Sequence, residues 1–428
     1  MSINNFEGIE KSREPERAII VGLAADSMKK REHSTEESLD ELEALLETAG
    51  GVCLGRALQN RDKPDSRTFI GEGKVKEVKE LAKANDCTVV VFDNELSPSQ
   101  MRALTEDMDL RVLDRSSLIL DIFAGRARTR EGRLQVELAQ YNYILPRLSG
   151  MWKHLVSQTG TSMPIGTRGP GETQLESDRR HIRRRIDKLK DELKEVIRVR
   201  DTQRRLRNKN KVPVIALIGY TNAGKSTLLN TLTGADIQAE NRLFDTLDTT
   251  TRRLTVSDAR DALLSDTVGF IRKLPHHLIE AFKATLEELK YADLLIHVID
   301  ASSQECEEQM RVVDDMIITL GVADTPRIEA YNKCDIPGVD IRPSGENTVS
   351  VSAKTGQGIE KLLKMIEESL SPVSRKVTLR LPYDKAGLVE MLHREAAVKD
   401  TKYEEEYIIV DCIAGRELLA KLDEFIVK

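Results

Sequence analysis

The sequence has few aromatic residues, few cysteines and no long apolar run. Phe, Trp and Tyr make up 4% of the 428 residues, and the five cysteines are scattered without a C-x-x-C pair. An odd number of dispersed cysteines argues against a disulfide framework or a zinc site and favours reduced thiols in the cytoplasm. No apolar run approaches the ~18 residues of a membrane-spanning helix, and the amino terminus lacks a signal-peptide core. We therefore expect a cytoplasmic protein with at most peripheral membrane association.

A strong charge of one sign is also missing. The formal net charge is −6, so no global basic field attracts nucleic acid, and any such binding must be local. The 40% hydrophobic and 32% charged content fits a soluble globular chain with a long charged helical component. At ~150 residues per domain, the length suggests about three domains. We expect a monomer that does not bind DNA.

One stretch predicts a nucleotide-binding loop. Residues 214–218 have the pattern of a buried strand, and a glycine-punctuated turn and an apolar-periodic helix follow. The turn satisfies G-x-x-x-x-G-K-[ST], in which backbone N–H groups and the helix N-terminus hold phosphate. Lys225 is expected to reach the β- and γ-phosphates, and Ser226 to ligate Mg²⁺. The nucleotide-binding residues predicted here are Gly219, Tyr220, Thr221, Asn222, Ala223, Gly224, Lys225, Ser226 and Thr227.

A second motif, Asp266-Thr-Val-Gly269, follows a predicted strand about forty residues further on. The Asp266 carboxylate would hold Mg²⁺ through water, and the Gly269 N–H would bond the γ-phosphate. A D-x-x-G sequence is common by chance, but its position after a strand downstream of the phosphate loop favours the functional interpretation. We therefore predict that Gly269, like Lys225, takes part in catalysis.

Residues 243–252 form the candidate first switch. A threonine hydroxyl there should close on Mg²⁺ and the γ-phosphate and then release after hydrolysis. We favour Thr246 as this metal-binding and catalytic residue, with Thr249 and Thr250 as alternatives. Phe244 is placed with the nucleotide-binding residues of the same segment.

The motif Asn332-Lys333-Cys334-Asp335 predicts which base is bound. A carboxylate at Asp335 can accept both the ring N–H and the exocyclic amine of guanine, whereas adenine offers no such donor pair. Asn332 would tie this loop to the phosphate loop, and the Lys333 stem would lie over the base. A backbone N–H toward the guanine oxygen is expected from the segment Ser352, Ala353 and Lys354. In this order the motifs predict an enzyme that hydrolyses GTP to GDP and phosphate.

The predicted fold class is α/β, a P-loop GTPase domain with a doubly wound, mainly parallel sheet and three additional parts. Apolar residues at 4-3-4-3 spacing around residues 134–148 and 182–196 indicate two helices of a coiled-coil hairpin. The predicted domains are an N-terminal α/β domain (1–125), the helical hairpin with a glycine-rich loop (126–210), the GTPase domain (211–372) and a small C-terminal α+β domain (373–428).

The second hairpin helix is the most basic part of the chain. Residues 172–211 hold fifteen Lys and Arg against eight Asp and Glu, a local excess of about +7. This helix is interpreted either as a solvated face with i,i+4 ion pairs or as a surface that contacts RNA phosphates. The candidate RNA contacts are Trp152 and Arg168 in the loop at 149–171, and Arg179, Arg180, Arg183, Arg184 and Arg185 on the helix.

Four segments together resemble HflX-type GTPases of the Obg-HflX group: Gly-Tyr-Thr-Asn-Ala-Gly-Lys-Ser (219–226), Thr-Leu-Asp-Thr-Thr-Thr-Arg (246–252), Asp-Thr-Val-Gly-Phe-Ile-Arg-Lys-Leu-Pro (266–275) and Gly-Thr-Arg-Gly-Pro-Gly-Glu-Thr-Gln-Leu-Glu (166–176). The resemblance covers essentially the whole chain and is weakest over the C-terminal ~55 residues. It implies a GTPase that binds the large ribosomal subunit and its rRNA and separates stalled or idle ribosomes. It also implies that the N-terminal domain and the hairpin face the ribosome.

The residue after the D-x-x-G motif is Phe270, where Ras-like proteins carry a glutamine that orients the attacking water. Phenylalanine offers no hydrogen bond, so unassisted hydrolysis should be slow. The missing polar group is expected from an rRNA phosphate, a bound cation or a switch backbone group. Asn222 resembles the asparagine that helps hold K⁺ in some relatives, but a loop-rigidifying role has equal weight.

Two other functions stay open from the sequence. The first is a GTP-regulated adaptor of protein partners, with hydrolysis only as a timer. The second is RNA remodelling with ATP use by the N-terminal domain, as reported for some relatives. Only the segment Gly71–Lys74 suggests a phosphate site there, and a helix-start turn explains it better.

Overall fold

The computed structural model describes residues 15–28, 32–148, 170–209, 212–235, 243–244, 250–257, 260–274, 278, 287–339, 345–370, 375–385, 387–404, 407–414, 422 and 425–426. The chain divides into two compact units, residues 1–254 with 261–359 and residues 255–260 with 360–428. No helix among the described residues is long and apolar enough to cross a bilayer. The predicted α/β fold class is confirmed.

The N-terminal part is a four-stranded parallel sheet in the order β2-β1-β3-β4. Its register is regular apart from a shift between Ala18 and Ile19 where β1 pairs with β2. The strands are β1 (Glu16–Ala25), β2 (Gly51–Arg61), β3 (Val89–Phe92) and β4 (Arg111–Asp114), and the helices are α1 (Glu36–Thr48), α2 (Glu72–Ala84), α3 (Pro98–Met108) and α4 (Arg115–Arg126).

Apolar layers cover both faces of this sheet. Successive strand residues point to opposite faces, so Ile20 joins the leucines of α1 and α4, whereas Ile19 joins the apolar residues of α2 and α3. Sheets covered on both faces need continuous apolar strands, and the apolar run Val89–Phe92 is fully buried.

Two helices follow, α5 (Arg130–Ile144) and α6 (Pro170–Lys209). Leu134 and Leu138 of α5 pack with Ile186 and Leu189 of α6, as the heptad spacing predicts. Because α6 begins at Pro170, the predicted loop extends too far when it includes Gly171; proline suits the first turn of a helix. The loop side chains Trp152 and Arg168 lie outside the described residues.

The GTPase sheet has six strands in the order β10-β9-β8-β5-β7-β6. Every pair from β10 to β7 in that order is parallel. The strands are β5 (Val214–Gly219), β6 (Thr250–Ser257), β7 (Arg260–Asp266), β8 (Leu294–Asp300), β9 (Arg327–Asn332) and β10 (Thr348–Ser350), with helices α7 (Lys225–Thr233) and α8 (Cys306–Leu320). The strand order changes direction on the two sides of β5, which is where ligands bind in open α/β sheets.

The second unit contains α9 (Ile359–Leu370), β11 (Arg375–Pro382), α10 (Gly387–Glu395), β12 (Ala397–Tyr403) and β13 (Tyr407–Ala414). Its strands form an antiparallel sheet in the order β11-β13-β12. The sequence pattern predicts two strands here, over residues 376–381 and 406–411. It misses β12, which is an edge strand with many polar residues and little apolar patterning. The sequence pattern also predicts a helix over residues 416–426, most of which lies outside the described residues.

Candidate nucleotide-binding site

The phosphate loop connects β5 to α7, and two of its glycines are fixed by close backbone contacts. Gly219 has a φ of +153°, and a Cβ there would lie 2.2 Å from the Val298 carbonyl oxygen on β8. Gly224 has a φ of +94°, and its Cβ would lie 2.2 Å from Asn332 Nδ2. No side chain fits at either position, so these glycines let the loop approach the neighbouring strands.

Lys225 is buried at the start of α7. Its Nζ donates to the carbonyl oxygens of Gly219 at 3.2 Å and Tyr220 at 2.8 Å. Burial lowers the pKa of Lys225 to about 8, and the nearby Asp266 carboxylate only partly opposes this shift. A phosphate would supply the negative charge that the two neutral carbonyls cannot, as expected for this lysine.

Ser226 and Asp266 meet where the sequence predicts magnesium. The Ser226 hydroxyl donates to Asp266 Oδ2 at 2.8 Å. A hydroxyl and a carboxylate oxygen are hard donors of the kind Mg²⁺ prefers, so this pair fits the metal. The hydroxyl of the next residue, Thr267, has a structural role, since it donates to the Leu217 carbonyl at 2.6 Å.

The D-x-x-G segment is bound directly to the phosphate loop. The Thr221 N–H donates to the Phe270 carbonyl at 2.8 Å, and the Phe270 N–H donates to the Gly219 carbonyl at 3.1 Å. A Cβ on Gly269 would lie 2.9 Å from both Lys225 Nζ and Thr221 Cα. The predicted neighbours of the γ-phosphate are therefore assembled at one place.

The Phe270 side chain belongs to the apolar core and is 1% exposed. It leaves no polar atom where a Ras-like glutamine would stand. Asn222 is exposed and has a φ of +61°, a conformation that asparagine tolerates better than most residues. This geometry accounts for an asparagine at this position structurally, while its K⁺ role remains a prediction.

The guanine motif begins at Asn332, the last residue of β9. Asn332 Nδ2 donates to the Ala223 carbonyl at 2.8 Å, and Asn332 Oδ1 accepts from the Ala353 N–H at 2.9 Å. Asn332 thus joins the phosphate loop to the segment Ser352, Ala353 and Lys354. Lys333 Nζ bonds Asp300 at 2.6 Å, which fixes its stem.

Asp335 is exposed at the edge of this site. A hydrogen bond from the Ser352 side chain lowers the pKa of Asp335 below its ordinary value. The carboxylate is therefore ionised at neutral pH and able to accept from a guanine.

The first switch is only partly described. Thr246 and Thr249 lie outside the described residues, and Thr250 opens β6. Phe244 is 3% exposed, and its ring packs edge-on against Phe123 of α4, with centroids 4.7 Å apart. The ring is therefore packed in an apolar cluster with α4, a contact that the sequence did not predict, while its part in nucleotide binding stays a prediction.

A polar network between the N-terminal sheet and the GTPase site was not predicted from the sequence. Tyr220 of the phosphate loop donates its hydroxyl to Glu41 of α1 at 3.0 Å and accepts from the Arg272 N–H at 2.9 Å. Arg272 Nε lies 3.2 Å from Glu41 Oε2, and Arg272 also pairs with Glu305. The phosphate loop and the segment after D-x-x-G are thus anchored to the same carboxylate.

Arg115 and Asp93 form the centre of this network. Arg115 is 1% exposed and bonds Asp93 Oδ1 and Glu41 Oε1, both at 2.7 Å. Asp93 also pairs with Lys273, which has a left-handed φ of +55°. Burial alone would raise the pKa of Asp93, but Arg115 and Lys273 outweigh it and hold that pKa below its ordinary value.

The cations of α6 divide into two sets. Arg185 Nη2 pairs with Glu137 of α5 at 2.7 Å, and Arg180 lies 3.8 Å from Glu176. Arg183 and Arg184 are exposed, and Arg179 is half-buried. Arg185 therefore holds the hairpin together, which the sequence argument, treating the five arginines alike, did not anticipate.

The site lies on a doubly wound sheet and combines a phosphate loop shaped by glycines, a hydroxyl–carboxylate pair that fits Mg²⁺, and a carboxylate that can accept from guanine. Together these features define a P-loop GTPase. Family models match residues 36–124 (GTP-binding GTPase N-terminal), 126–207 (GTP-binding GTPase Middle Region), 214–333 (50S ribosome-binding GTPase) and 341–412 (HflX C-terminal domain). The chain belongs to the HflX family of GTPases, as predicted.

Curated relatives span nearly the whole chain. GTPase HflX of Caldanaerobacter subterraneus subsp. tengcongensis is 45% identical over 98% of this chain and 95% of its own length. GTPase HflX of Escherichia coli K12 is 44% identical over 86% of this chain and 88% of its own length. A crystal structure of a GTP-binding protein from the archaeon Sulfolobus solfataricus with GDP is 23% identical over 83% of this chain and 98% of that chain, with a TM-score of 0.43.

Proposed function

We propose that this GTPase associates with the large ribosomal subunit, that the subunit stimulates its GTP hydrolysis, and that it separates stalled or idle ribosomes in the cytoplasm. The exposed cationic side of α6 carries the proposal. The match of residues 214–333 to a family model described as 50S ribosome-binding GTPase supports it.

The geometry of α6 suits an RNA backbone. Arg185 is held by Glu137, and Ile186 and Leu189 are buried against α5, so the helix is fixed in rotation. Arg183 and Arg184 are exposed on this fixed helix, where each can contact a phosphate. Such contacts release counterions and make binding depend steeply on salt.

The network around Glu41 and Asp93 supports coupling between nucleotide state and ribosome binding. Arg272 and Lys273 follow the D-x-x-G motif, which responds to the γ-phosphate in GTPases. Both are bound by carboxylates of the N-terminal sheet domain. A movement of this segment therefore changes the buried ion pairs of the neighbouring domain.

GTPases of this class use Mg²⁺ with GTP. Ser226 and Asp266 would hold this ion together with a switch threonine, for which Thr246 is our choice.

We also propose that Asn222 helps to hold K⁺. Turnover should then be faster in KCl than in NaCl at matched ionic strength. Equal rates would contradict the K⁺ role.

Co-sedimentation tests the ribosome proposal. The wild type should pellet with large subunits in GMPPNP more than in GDP, and Arg183→Glu/Arg184→Glu should abolish this difference. Lys361→Glu/Lys364→Glu on α9 is the matched control, since it reverses two exposed lysines elsewhere. Light scattering of intact ribosomes with GTP measures separation directly.

Three results would count against the proposal. Binding that is indifferent to nucleotide would contradict the switch, and binding unaffected by the α6 double variant would contradict the contact surface. Turnover that large subunits fail to raise would contradict the stimulation. A GTP-regulated adaptor of protein partners would pellet with large subunits in neither nucleotide, and large subunits would not raise its turnover.

A further inference from the structure

Hydrolysis of GTP requires a polar group that orients the attacking water, and Phe270 cannot be that group. Its ring is buried in the apolar core, and its backbone N–H and carbonyl both bond the phosphate loop. A different residue close to Gly269 must therefore supply the hydrogen bond, or the site depends wholly on an outside partner.

Thr221 has the required position. It is the third residue of the phosphate loop, and its N–H is fixed on the Phe270 carbonyl at 2.8 Å. A Cβ on Gly269 would lie 2.9 Å from Thr221 Cα, from Thr221 Cγ2 and from Lys225 Nζ. The Thr221 side chain thus stands beside the two groups that are expected to bind the γ-phosphate.

The Thr221 hydroxyl is also uncommitted. Thr221 is 6% exposed, and its Oγ1 is buried and has no hydrogen-bond partner in the described part of the chain. The neighbouring Ser226 and Thr267 hydroxyls are each donated to a protein oxygen. A buried hydroxyl without a partner is uncommon in native proteins and calls for an explanation.

We propose that Thr221 is a catalytic residue of GTP hydrolysis, whose hydroxyl hydrogen-bonds the attacking water beside the γ-phosphate. A hydroxyl can accept one hydrogen bond from the water and donate another to a γ-phosphate oxygen. The water oxygen forms a bond to the γ-phosphorus while the bond to the β–γ bridging oxygen breaks. GDP leaves with that oxygen, and the proton of the water goes to the released phosphate.

Thr221→Val and Thr221→Ser separate the hydroxyl from the shape of the side chain. Thr221→Val should slow single-turnover GTP hydrolysis about tenfold, equivalent to about 1.4 kcal/mol. It should leave the Kd of GDP and GMPPNP within about twofold and weaken GDP·AlF₄⁻ binding as much as it slows hydrolysis. Thr221→Ser should keep the wild-type rate within about threefold. The melting temperature of Thr221→Val should not fall, because valine buries no unpaired oxygen.

The matched control is Thr233→Val at the end of α7, where the hydroxyl donates to the Leu229 carbonyl at 2.8 Å. It should change neither hydrolysis nor GDP·AlF₄⁻ binding. A wild-type rate in Thr221→Val, a Thr221→Ser rate as low as that of valine, or an equal loss of GMPPNP affinity would each overturn the proposal. The assays use the full chain without ribosomes, so they stand apart from the proposed ribosome function.

Discussion

Two buried lysines of this protein, Lys225 in the phosphate loop and Lys273 in the domain contact, have opposite surroundings. Burial lowers the pKa of both. Lys225 is bonded to two neutral carbonyls, whereas Lys273 is bonded to the carboxylate of Asp93. The phosphate loop therefore keeps a cation whose counter-charge comes with the ligand, while the domain contact balances its charges internally.

This difference separates a binding site from a structural contact. A neutral partner can be exchanged for phosphate at little cost, but a buried ion pair resists exchange because each charge would lose its partner. Arg115, with a carboxylate on each side, shows the second condition in its strongest form.

Arg115→Met should have the largest effect, because it leaves Asp93 and Glu41 buried without their shared cation. We expect a loss of about 4 kcal/mol in the free energy of unfolding, measured by urea denaturation followed by circular dichroism. The control is Arg67→Met, which removes an exposed pair with Asp107 and should cost less than about 1 kcal/mol. Equal losses in the two variants would contradict the structural role of the buried network.

Lys225→Met should remove function without lowering the free energy of unfolding, because the charged lysine is buried without a counter-ion. Without the lysine, GTP hydrolysis should fall by roughly 10²–10³-fold, because the charge developing on the phosphates is no longer stabilised. Lys273→Met provides the comparison, since it should lower the urea midpoint instead. GTP hydrolysis and the urea midpoint are measured in both variants. A urea midpoint that falls as far in Lys225→Met as in Lys273→Met would contradict the contrast between the two lysines.

The pH dependence of stability should show the lowered pKa of Lys225. Its pKa is about 8 in the folded chain and 10.5 as the ordinary value, so between these pH values the unfolded chain binds more protons. The contribution of Lys225 to the stability of the nucleotide-free protein should therefore rise with pH across this window, by up to about 3 kcal/mol. The rise should be smaller by that amount in Lys225→Met; identical pH profiles would show that the lysine is not perturbed.

Tyr220→Phe should have the smallest effect. It removes the hydroxyl that joins Glu41 to the Arg272 N–H, at an expected cost of about 1–2 kcal/mol in the free energy of unfolding. Tyr383→Phe serves as the control, because its hydroxyl is in an exposed bond to the Glu404 carbonyl. An unchanged free energy of unfolding in Tyr220→Phe would mean that the phosphate loop is not stabilised through the N-terminal sheet.

The sequence predicted the parts of the site that lie in short contiguous motifs. Gly219, Lys225 and Asn332 stand where they were expected, because a strand, a tight turn and a helix start leave one backbone path for each motif. The link from Asn332 to the phosphate loop followed from the same reasoning.

The domain contact could not be predicted in this way. Glu41, Asp93 and Arg115 come from three distant segments of unremarkable composition, which the fold of the N-terminal sheet domain brings together. Their contacts with Tyr220, Arg272 and Lys273 depend in addition on packing of this domain against the GTPase site. The contacts of Phe244 and Arg185 could not be predicted for a similar reason, since a partner on another element, Phe123 or Glu137, decides where each side chain points.

Tyr220, Arg272 and Lys273 also constrain how this GTPase domain can be recombined in evolution or engineering. Moved alone into another protein, the domain would present Tyr220 and Lys273 without their carboxylate partners, which stay behind on α1 and after β3, and Arg272 with only Glu305 of its two carboxylates. The nucleotide site and the N-terminal sheet therefore need to be transferred together. A chimera that separates them would expose side chains without their carboxylate partners next to its phosphate loop.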